Sequence, residues 1–297
     1  MEPGTGLLTL RDFIRYGASQ FRAAGLAFGH GTDNAFDEAA WLTLHALHLP
    51  LDLEAHWWDS RLTEMERERV EGLLRERIQS RKPAAYLTRE AWFAGLPFHV
   101  DERVLVPRSP FAELIESGFE PWVDPDGVER VLDLGTGAGC IGIATALVFP
   151  QAQVDLADIS PDALAVARDN VARFELEGRV RLVQSDVFEG LGPEDRYDLI
   201  VTNPPYVDAR DMADLPDEYR HEPELGLAAG DDGLDIVRRI LDGARRHLTD
   251  DGVLMVEVGN SQEAVEDAFH DIPMVWLDFA AGGHGVFVVR AQDLPPA

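Results

Sequence analysis

The sequence predicts an α/β protein, a mainly parallel sheet with helices on both faces, preceded by a small helical domain and a short β-hairpin. Three observations predict it. Apolar residues recur at helical spacing over residues 1–85, short β-rich runs replace them over residues 86–106, and from Val128 onward apolar runs alternate with helical patterns. The catalytic part is expected to fill residues 107–297. With 297 residues, 45% of them apolar, the chain can build one large core or two modest ones, which excludes a disordered polymer.

The elements follow in order. Phe13, Ile14, Tyr16 and Phe21 share one helical face, and Ala39, Trp41, Leu42, Leu44, Ala46 and Leu47 mark a second helix. Thr63 with Glu66 three residues on is a capping-box pattern. It opens a third helix through Met65, Val70, Leu73, Leu74 and Ile78 that should end before Pro83. Trp92-Phe93 and Phe98-His99-Val100 flank Ala94-Gly95-Leu96-Pro97 as a hairpin, with Val104-Leu105-Val106 beyond it.

Strands are expected at Val131–Leu134, Val154–Ala157, Val180–Val183, Leu199–Thr202 and Val253–Val258. Helices should cover Gly139–Phe149, Pro161–Phe174 and Leu234–His247. A final antiparallel pair, Val275–Phe279 and Gly285–Val289, would turn at Ala281-Gly282-Gly283-His284.

Charge narrows the function. Against 26 basic residues stand 54 acidic ones, a net of -28, and Lys82 is the sole lysine. Affinity for nucleic acid rests on clustered cations, so stable nucleic-acid binding is not expected, whereas a basic protein partner fits. The single cysteine, Cys140, permits no intrachain disulfide. The start lacks a basic, then apolar, leader pattern, and no apolar run is long enough to cross a membrane. A cytoplasmic location is expected, without membrane association.

The run Val131-Leu132-Asp133-Leu134-Gly135-Thr136-Gly137-Ala138-Gly139 is a strand passing through a glycine loop into a helix. Glycines remove Cβ atoms where a ligand approaches the backbone, and the helix N-terminus adds a positive dipole end. A cofactor is implied. Gly137, Gly139 and Gly142 with Asp158 downstream also satisfy the dinucleotide spacing, so the loop alone leaves two cofactors open.

After the strand Leu199–Thr202 comes Asn203-Pro204-Pro205-Tyr206, the most specific signal in the chain. Two prolines fix their own torsions and present no N–H, so the carbonyls of Asn203 and Pro204 can be held outward as acceptors. An NH2 group carries two hydrogens. Acceptance by the Asn203 side chain and the Pro204 carbonyl would draw the nitrogen lone pair out of conjugation and aim it at an electrophile. Tyr206 offers a flat face for a planar amide or base. The tetrapeptide resembles the one shared by methyltransferases acting on amino groups of nucleic-acid bases and by those acting on protein glutamine, so by itself it leaves the substrate open.

Asp133 before the triple-glycine loop, with Asp158 and Asp186 after later strands, resembles S-adenosylmethionine-dependent methyltransferases of class I, whose domain is Rossmann-like. That resemblance implies S-adenosylmethionine as methyl donor and S-adenosylhomocysteine as product. It places Asp133 near the aminoacyl part, Asp158 at the ribose hydroxyls, and Asp186 and Val187 at the adenine; Gly135, Thr136, Gly137, Gly139 and Asn203 complete the set.

The whole chain is similar to the protein N5-glutamine methyltransferase family. The similarity is carried by Val104-Leu105-Val106-Pro107-Arg108, the glycine loop, Asn203 to Tyr206, and Glu222-Pro223 with Asp232-Gly233-Leu234. Finer features resemble the branch acting on large-subunit ribosomal protein uL3: Gly29-His30-Gly31-Thr32-Asp33-Asn34, Ala91-Trp92-Phe93, Pro107-Arg108-Ser109-Pro110 and Tyr219-Arg220-His221-Glu222-Pro223-Glu224-Leu225. The branch acting on release factors usually carries Pro-Asp-Thr-Glu after Pro-Arg, where this chain has Ser109-Pro110-Phe111-Ala112-Glu113. The resemblance implies uL3 as substrate, docked by the helical domain, with residues 208–224 as a flap.

Other residues are expected to be structural. The charge run Asp208, Asp211, Asp214, Asp217, Glu218 is expected to be a solvated face. His30, His221 and His284 lack a metal-ligand spacing, so no metal is expected. Cys140 is expected to be a small packing residue, and Trp57-Trp58 to belong to the helical domain's packing or docking surface.

Overall fold

The computed structural model describes residues 6–280 and 282–296. The first five residues of the expected helical domain, Ala281 of the expected last turn, and Ala297 lie outside that set. The chain forms two compact units. One runs to Ala91 and includes Pro216–His221; the other comprises Trp92–Leu215 and continues from Glu222. The division falls inside the hairpin region, and a short piece of the expected flap groups with the helices.

In the first unit, α1 (Leu10–Ala23), α2 (Ala35–Ala46), α3 (Glu64–Ser80) and α4 (Ala84–Thr88) follow the apolar spacing. The Thr63–Glu66 capping box forms at the start of α3. The helix ends at Arg81, in the left-handed region at φ 56, just before Pro83. Phe13, Ile14, Phe21, Leu42, Val70 and Leu74 are buried, each contributing roughly 1.5–3 kcal/mol of transfer free energy. Gly17 permits the close packing of α1, since a Cβ there would lie 3.0 Å from the Ala39 Cβ.

Two expectations fail in this unit. Met65, expected on the apolar face of α3, is 67% exposed. Arg77 takes an interior position instead, with Nε donating to Glu38 Oε1 at 2.7 Å and Nη2 to the Ala27 carbonyl at 3.1 Å. The charge run is not a uniform solvated face either, because Glu218 is fully buried. Its carboxylate accepts the Ala27 N–H at 3.1 Å and pairs with Arg77 at 3.5 Å and Arg81 at 3.0 Å. A buried carboxylate requires such partners, and even the nearest of them in sequence, Arg81, is 137 residues away. His221 Nε2 meets the Ser80 carbonyl at 2.9 Å, so the same short segment is held at both ends.

The hairpin pairs β1 (Glu90–Phe93) with β2 (Leu96–His99). Its two turn residues, Ala94 and Gly95, both have positive φ, the backbone that matches strand twist in a two-residue turn. Beyond it lie α5 (Phe111–Glu116), β3 (Arg130–Leu134), α6 (Cys140–Val148), β4 (Gln153–Asp158), α7 (Pro161–Arg173), β5 (Val180–Gln184) and β6 (Tyr197–Thr202). Then come α8 (Ala209–Asp214), α9 (Asp235–Ala244), β7 (Leu248–Glu257), α10 (Gln262–Ala268), β8 (Val275–Trp276) and β9 (Val286–Arg290).

The sheet order is β5-β4-β3-β6-β7-β9-β8. The first five strands are parallel, while β9 is antiparallel to both β7 and β8. Alternation along the strands divides the core. Val131, Leu199, Val201, Val253 and Met255 pack with α5, α6 and α7, whereas Leu132, Ile200, Leu254 and Val256 pack with α9 and α10. The expected α/β class is therefore the observed one. Strand order reverses between β3 and β6, and ligands of open α/β sheets bind outside the carboxyl ends of strands at such a point.

Candidate active site

Register builds the site. Val183, Ala157, Leu134, Thr202 and Val256 lie abreast across β5, β4, β3, β6 and β7. The next residues, Gln184, Asp158, Gly135, Asn203 and Glu257, therefore line the carboxyl edge of the sheet. Neighbouring strands are about 4.8 Å apart, so the glycine loop and the Asn203 tetrapeptide begin side by side.

The glycine loop is fixed by two acids, Asp133 buried and Asp158 half-buried. Asp133 accepts the Thr136 hydroxyl at 2.5 Å and the Gly142 N–H at 2.9 Å. Burial pushes its carboxyl up to about 6 against those two hydrogen bonds, and neighbouring Asp158 adds to the rise. Asp158 accepts the Gly137 and Ser160 N–H groups, each at 2.9 Å, and burial raises its carboxyl too. Gly135, Gly137 and Gly139 have φ of +72, +54 and +82, and a Cβ on Gly135 or Gly137 would meet nothing within 4 Å. The loop thus presents bare backbone to open space. Asn170 secures its far side, donating Nδ2 to the Ala138 carbonyl at 2.9 Å.

Asp186 and Val187 lie two and three residues past the edge position Gln184. The Asp186 carboxylate is half-buried and pairs with Arg239 at 2.8 Å. Val187 sits at φ 53, a strained backbone for a β-branched residue, while the Ser185 hydroxyl donates to its carbonyl at 2.6 Å.

The tetrapeptide is clamped from behind. Thr202 donates its hydroxyl to the Leu134 carbonyl at 2.7 Å, tying β6 to the start of the glycine loop. The Tyr206 carbonyl accepts from Ser261 Oγ at 2.8 Å. Gly259 is required beside it, because a Cβ there would lie 2.7 Å from the tyrosine ring. Pro204 is buried, and Asn203 is half-buried at the edge.

Four residues of this region were not singled out as site residues by sequence reasoning. Glu257, 4% exposed, accepts the Ser109 hydroxyl at 2.5 Å and also interacts with the Asn203 and Tyr206 side chains. Burial pushes its carboxyl up to about 7, opposed by Ser109, Arg108, Tyr206 and Asn203. Arg108 in turn makes a two-pronged pair with Glu222 at 2.6 and 2.7 Å, and the Val106 N–H donates to the same carboxylate at 2.9 Å. A lone acid closing an apolar strand was the one available signal for Glu257.

A family model described as methyltransferase small domain matches residues 122–216. The ribosomal protein uL3 glutamine methyltransferase of Burkholderia pseudomallei is 52% identical over 298 residues, covering 98% of this chain and 97% of that protein. Its namesake from Bordetella pertussis is 53% identical, covering 97% of each chain. This chain belongs to the ribosomal protein uL3 glutamine methyltransferase family. Among solved structures, the hMettl16 catalytic domain in complex with the MAT2A 3'UTR hairpin 6 is 16% identical with a TM-score of 0.50, covering 77% of this chain and 81% of that one. That likeness shows a shared α/β methyltransferase fold.

The motifs on which the sequence resemblance rests meet in space: Val106 and Arg108 at Glu222, and Gly233 behind the Tyr206 carbonyl, where a Cβ would lie 2.6 Å away. The three histidines do not converge. His221 lies on the Ser80 carbonyl, His284 on Asn260 at 3.0 Å, and His30 against the Tyr219 ring at 4.4 Å. Among the described residues no group of three His, Cys, Asp or Glu side chains is placed to hold a metal ion. The Cys140 thiol is buried, which pushes it up and keeps it protonated. Trp57 is 53% exposed, whereas the Trp58 indole donates to the Leu53 carbonyl at 3.2 Å. No helix among the described residues is long and apolar enough to cross a membrane.

Proposed function

We infer that this chain transfers a methyl group to the side-chain amide nitrogen of a glutamine in ribosomal protein uL3, using S-adenosylmethionine. The observation that carries the chemistry is the register that starts Asn203-Pro204-Pro205-Tyr206 one strand away from the glycine loop. The family membership supports the substrate. The open space beside Gly135 and Gly137 and the carboxylate of Asp158 suit a nucleoside with ribose hydroxyls. In that reading Asp133 and Thr136 shape the loop near the aminoacyl group, while Asp186 and Val187 line the adenine side. S-adenosylmethionine supplies an electrophilic sulfonium methyl when bound.

The chain's own residues handle the glutamine. The Asn203 side-chain oxygen and the Pro204 carbonyl accept the two amide hydrogens, which turns the nitrogen lone pair out of the amide plane. Tyr206 supplies a ring wall for the planar amide. These acceptors act in a half-buried notch where hydrogen bonds gain strength. No strong base is needed, since the nitrogen sheds its proton after the methyl arrives.

The net charge of -28 suits capture of a basic ribosomal protein, through steering more than through tight contact. The helical unit is the docking module in this reading, acting in the cytoplasm where ribosomal proteins are made.

The test supplies the enzyme with labelled S-adenosylmethionine and, separately, unassembled uL3, a translation release factor and ribosomal RNA. Label on a glutamine of uL3 supports the reading. Preferential label on the release factor or on RNA overturns it.

A further inference from the structure

Glu257 is a buried acid beside Asn203 at the carboxyl edge of the sheet, with no part in the transfer step itself. It ends β7 one residue beyond Val256, whose partner Thr202 immediately precedes Asn203. The carboxyl accepts from Ser109 and lies in hydrogen-bonding reach of the Asn203 and Tyr206 side chains. Arg108 acts on it as a cation and is itself paired with Glu222. One carboxyl thus gathers three uncharged polar side chains from two loops.

The donor inventory makes this arrangement directional. An ionised carboxylate only accepts, so the serine and tyrosine hydroxyls must donate to it, and Asn203 must present Nδ2. An amide that turns its nitrogen toward the carboxylate turns its oxygen away. The opposite flip would set Asn203 Oδ1 against a carboxylate oxygen, two acceptors with no proton between them. Orientation of an asparagine amide is otherwise a matter of small energies. Here the neighbour decides it.

We propose that Glu257 is a positioning residue which holds the Asn203 carboxamide in the single orientation that offers its oxygen to an incoming NH2 group. The proposal rests on the glutamine methyltransferase reading, because that reading is what makes an accepting oxygen useful. Ser109 and Tyr206 then act as the other two struts, Ser109 keeping the carboxyl in place and Tyr206 fixing the ring wall. No bond is made or broken at Glu257; it acts through Asn203.

Swapping the two roles tests this. E257Q offers one oxygen to three donors and aims an NH2 group among them, so kcat on uL3 should fall about 100-fold, the scale of a reacting group displaced by about an ångström. The dissociation constant for S-adenosylmethionine should stay within about twofold, since the residues assigned to the nucleoside in the proposed reading lie on β3, β4 and the loop after β5, away from Glu257 on β7. N203D alone sets two carboxyls together and should be less active still. In the N203D/E257Q double variant the amide at 257 donates to the carboxylate at 203, which again presents an acceptor outward, and activity should recover at least about tenfold over N203D.

Rescue of that kind is not expected from two merely structural lesions. The proposal is overturned if E257Q keeps kcat within twofold of the unsubstituted enzyme, or if the double variant is no better than N203D. Should the unsubstituted enzyme label no glutamine, the functional reading fails, and NMR of the Asn203 side-chain NH2 still decides the orientation. Its two proton resonances should move on E257Q, and unmoved resonances would contradict the proposal. E257D, which keeps an acceptor on a shorter stem, serves if E257Q does not fold; it should lose kcat with unchanged cofactor affinity, and full activity would count against a fixed geometry.

Discussion

The two ends of one sheet treat buried acids in opposite ways. Toward the amino ends of the strands, Asp155 accepts from Arg181 at 2.8 and 2.6 Å, from Arg130 at 3.2 Å and from the Tyr197 hydroxyl at 2.6 Å. Its charge is answered by cations. At the carboxyl edge Asp133 and Asp158 are answered mainly by backbone N–H groups and a hydroxyl, and burial raises both. Glu257 is answered by hydroxyls and an amide, with Arg108 shared. A fully compensated acid is a rivet; an under-compensated one in a cleft marks a site.

The largest expected effect falls at the carboxyl edge. Asn203→Ala removes an acceptor that acts only on the reacting amide, and should cost about 1,000-fold in kcat/KM with little change in urea stability. Turnover assays with parallel denaturation check it. Next is Asp155→Ala, which should leave kcat within a few-fold yet lower unfolding free energy by on the order of 3 kcal/mol, because Arg130, Arg181 and Tyr197 lose a common partner. Should Asp155→Ala abolish activity in a folded enzyme, the contrast between the two ends fails.

Much of this arrangement is legible in the sequence. The glycine loop and the tetrapeptide are local signals, since three closely spaced glycines permit the left-handed backbone found there, while two consecutive prolines restrict theirs wherever they occur. β3, β4 and β6 are apolar runs buried on both faces, which announces central parallel strands. What the sequence hides is long-range pairing of charge. Glu218 belongs to an acidic run, and nothing local shows that Arg77 and Arg81 will meet it. Glu257 ends an ordinary apolar strand, and its role emerges only when β6 and β7 pair in register. Met65 and Arg77 lie on the same helix, where propensity treats both alike and tertiary contact chooses between them.

A third effect depends on pH. Burial holds the Glu257 carboxyl up at about 7, so it is protonated below that and ionised above. The groups facing it are Arg108, Ser109, Asn203, Tyr206 and the Cys140 thiol. A protonated carboxyl can donate to Asn203 Oδ1 and compete with the substrate. Hence kcat/KM should rise about tenfold per pH unit as pH climbs toward 7 and then level. E257Q should flatten that limb; an unchanged limb would assign it to another group.

The smallest effect concerns Asp186. Its pair with Arg239 is about 40% exposed on both sides, and exposed pairs contribute less than about 1 kcal/mol. Arg239→Met should therefore barely move the melting temperature and change cofactor affinity less than about fivefold. A larger loss of affinity would make Arg239 part of the nucleoside site.

The most direct measurement is tandem mass spectrometry of uL3 after incubation with S-adenosylmethionine and either the unsubstituted enzyme or Asn203→Ala. The amide clamp predicts one added methyl on a glutamine side chain with the former and almost none with the latter. Equal methylation by both, or a methyl on any other side chain, would contradict it.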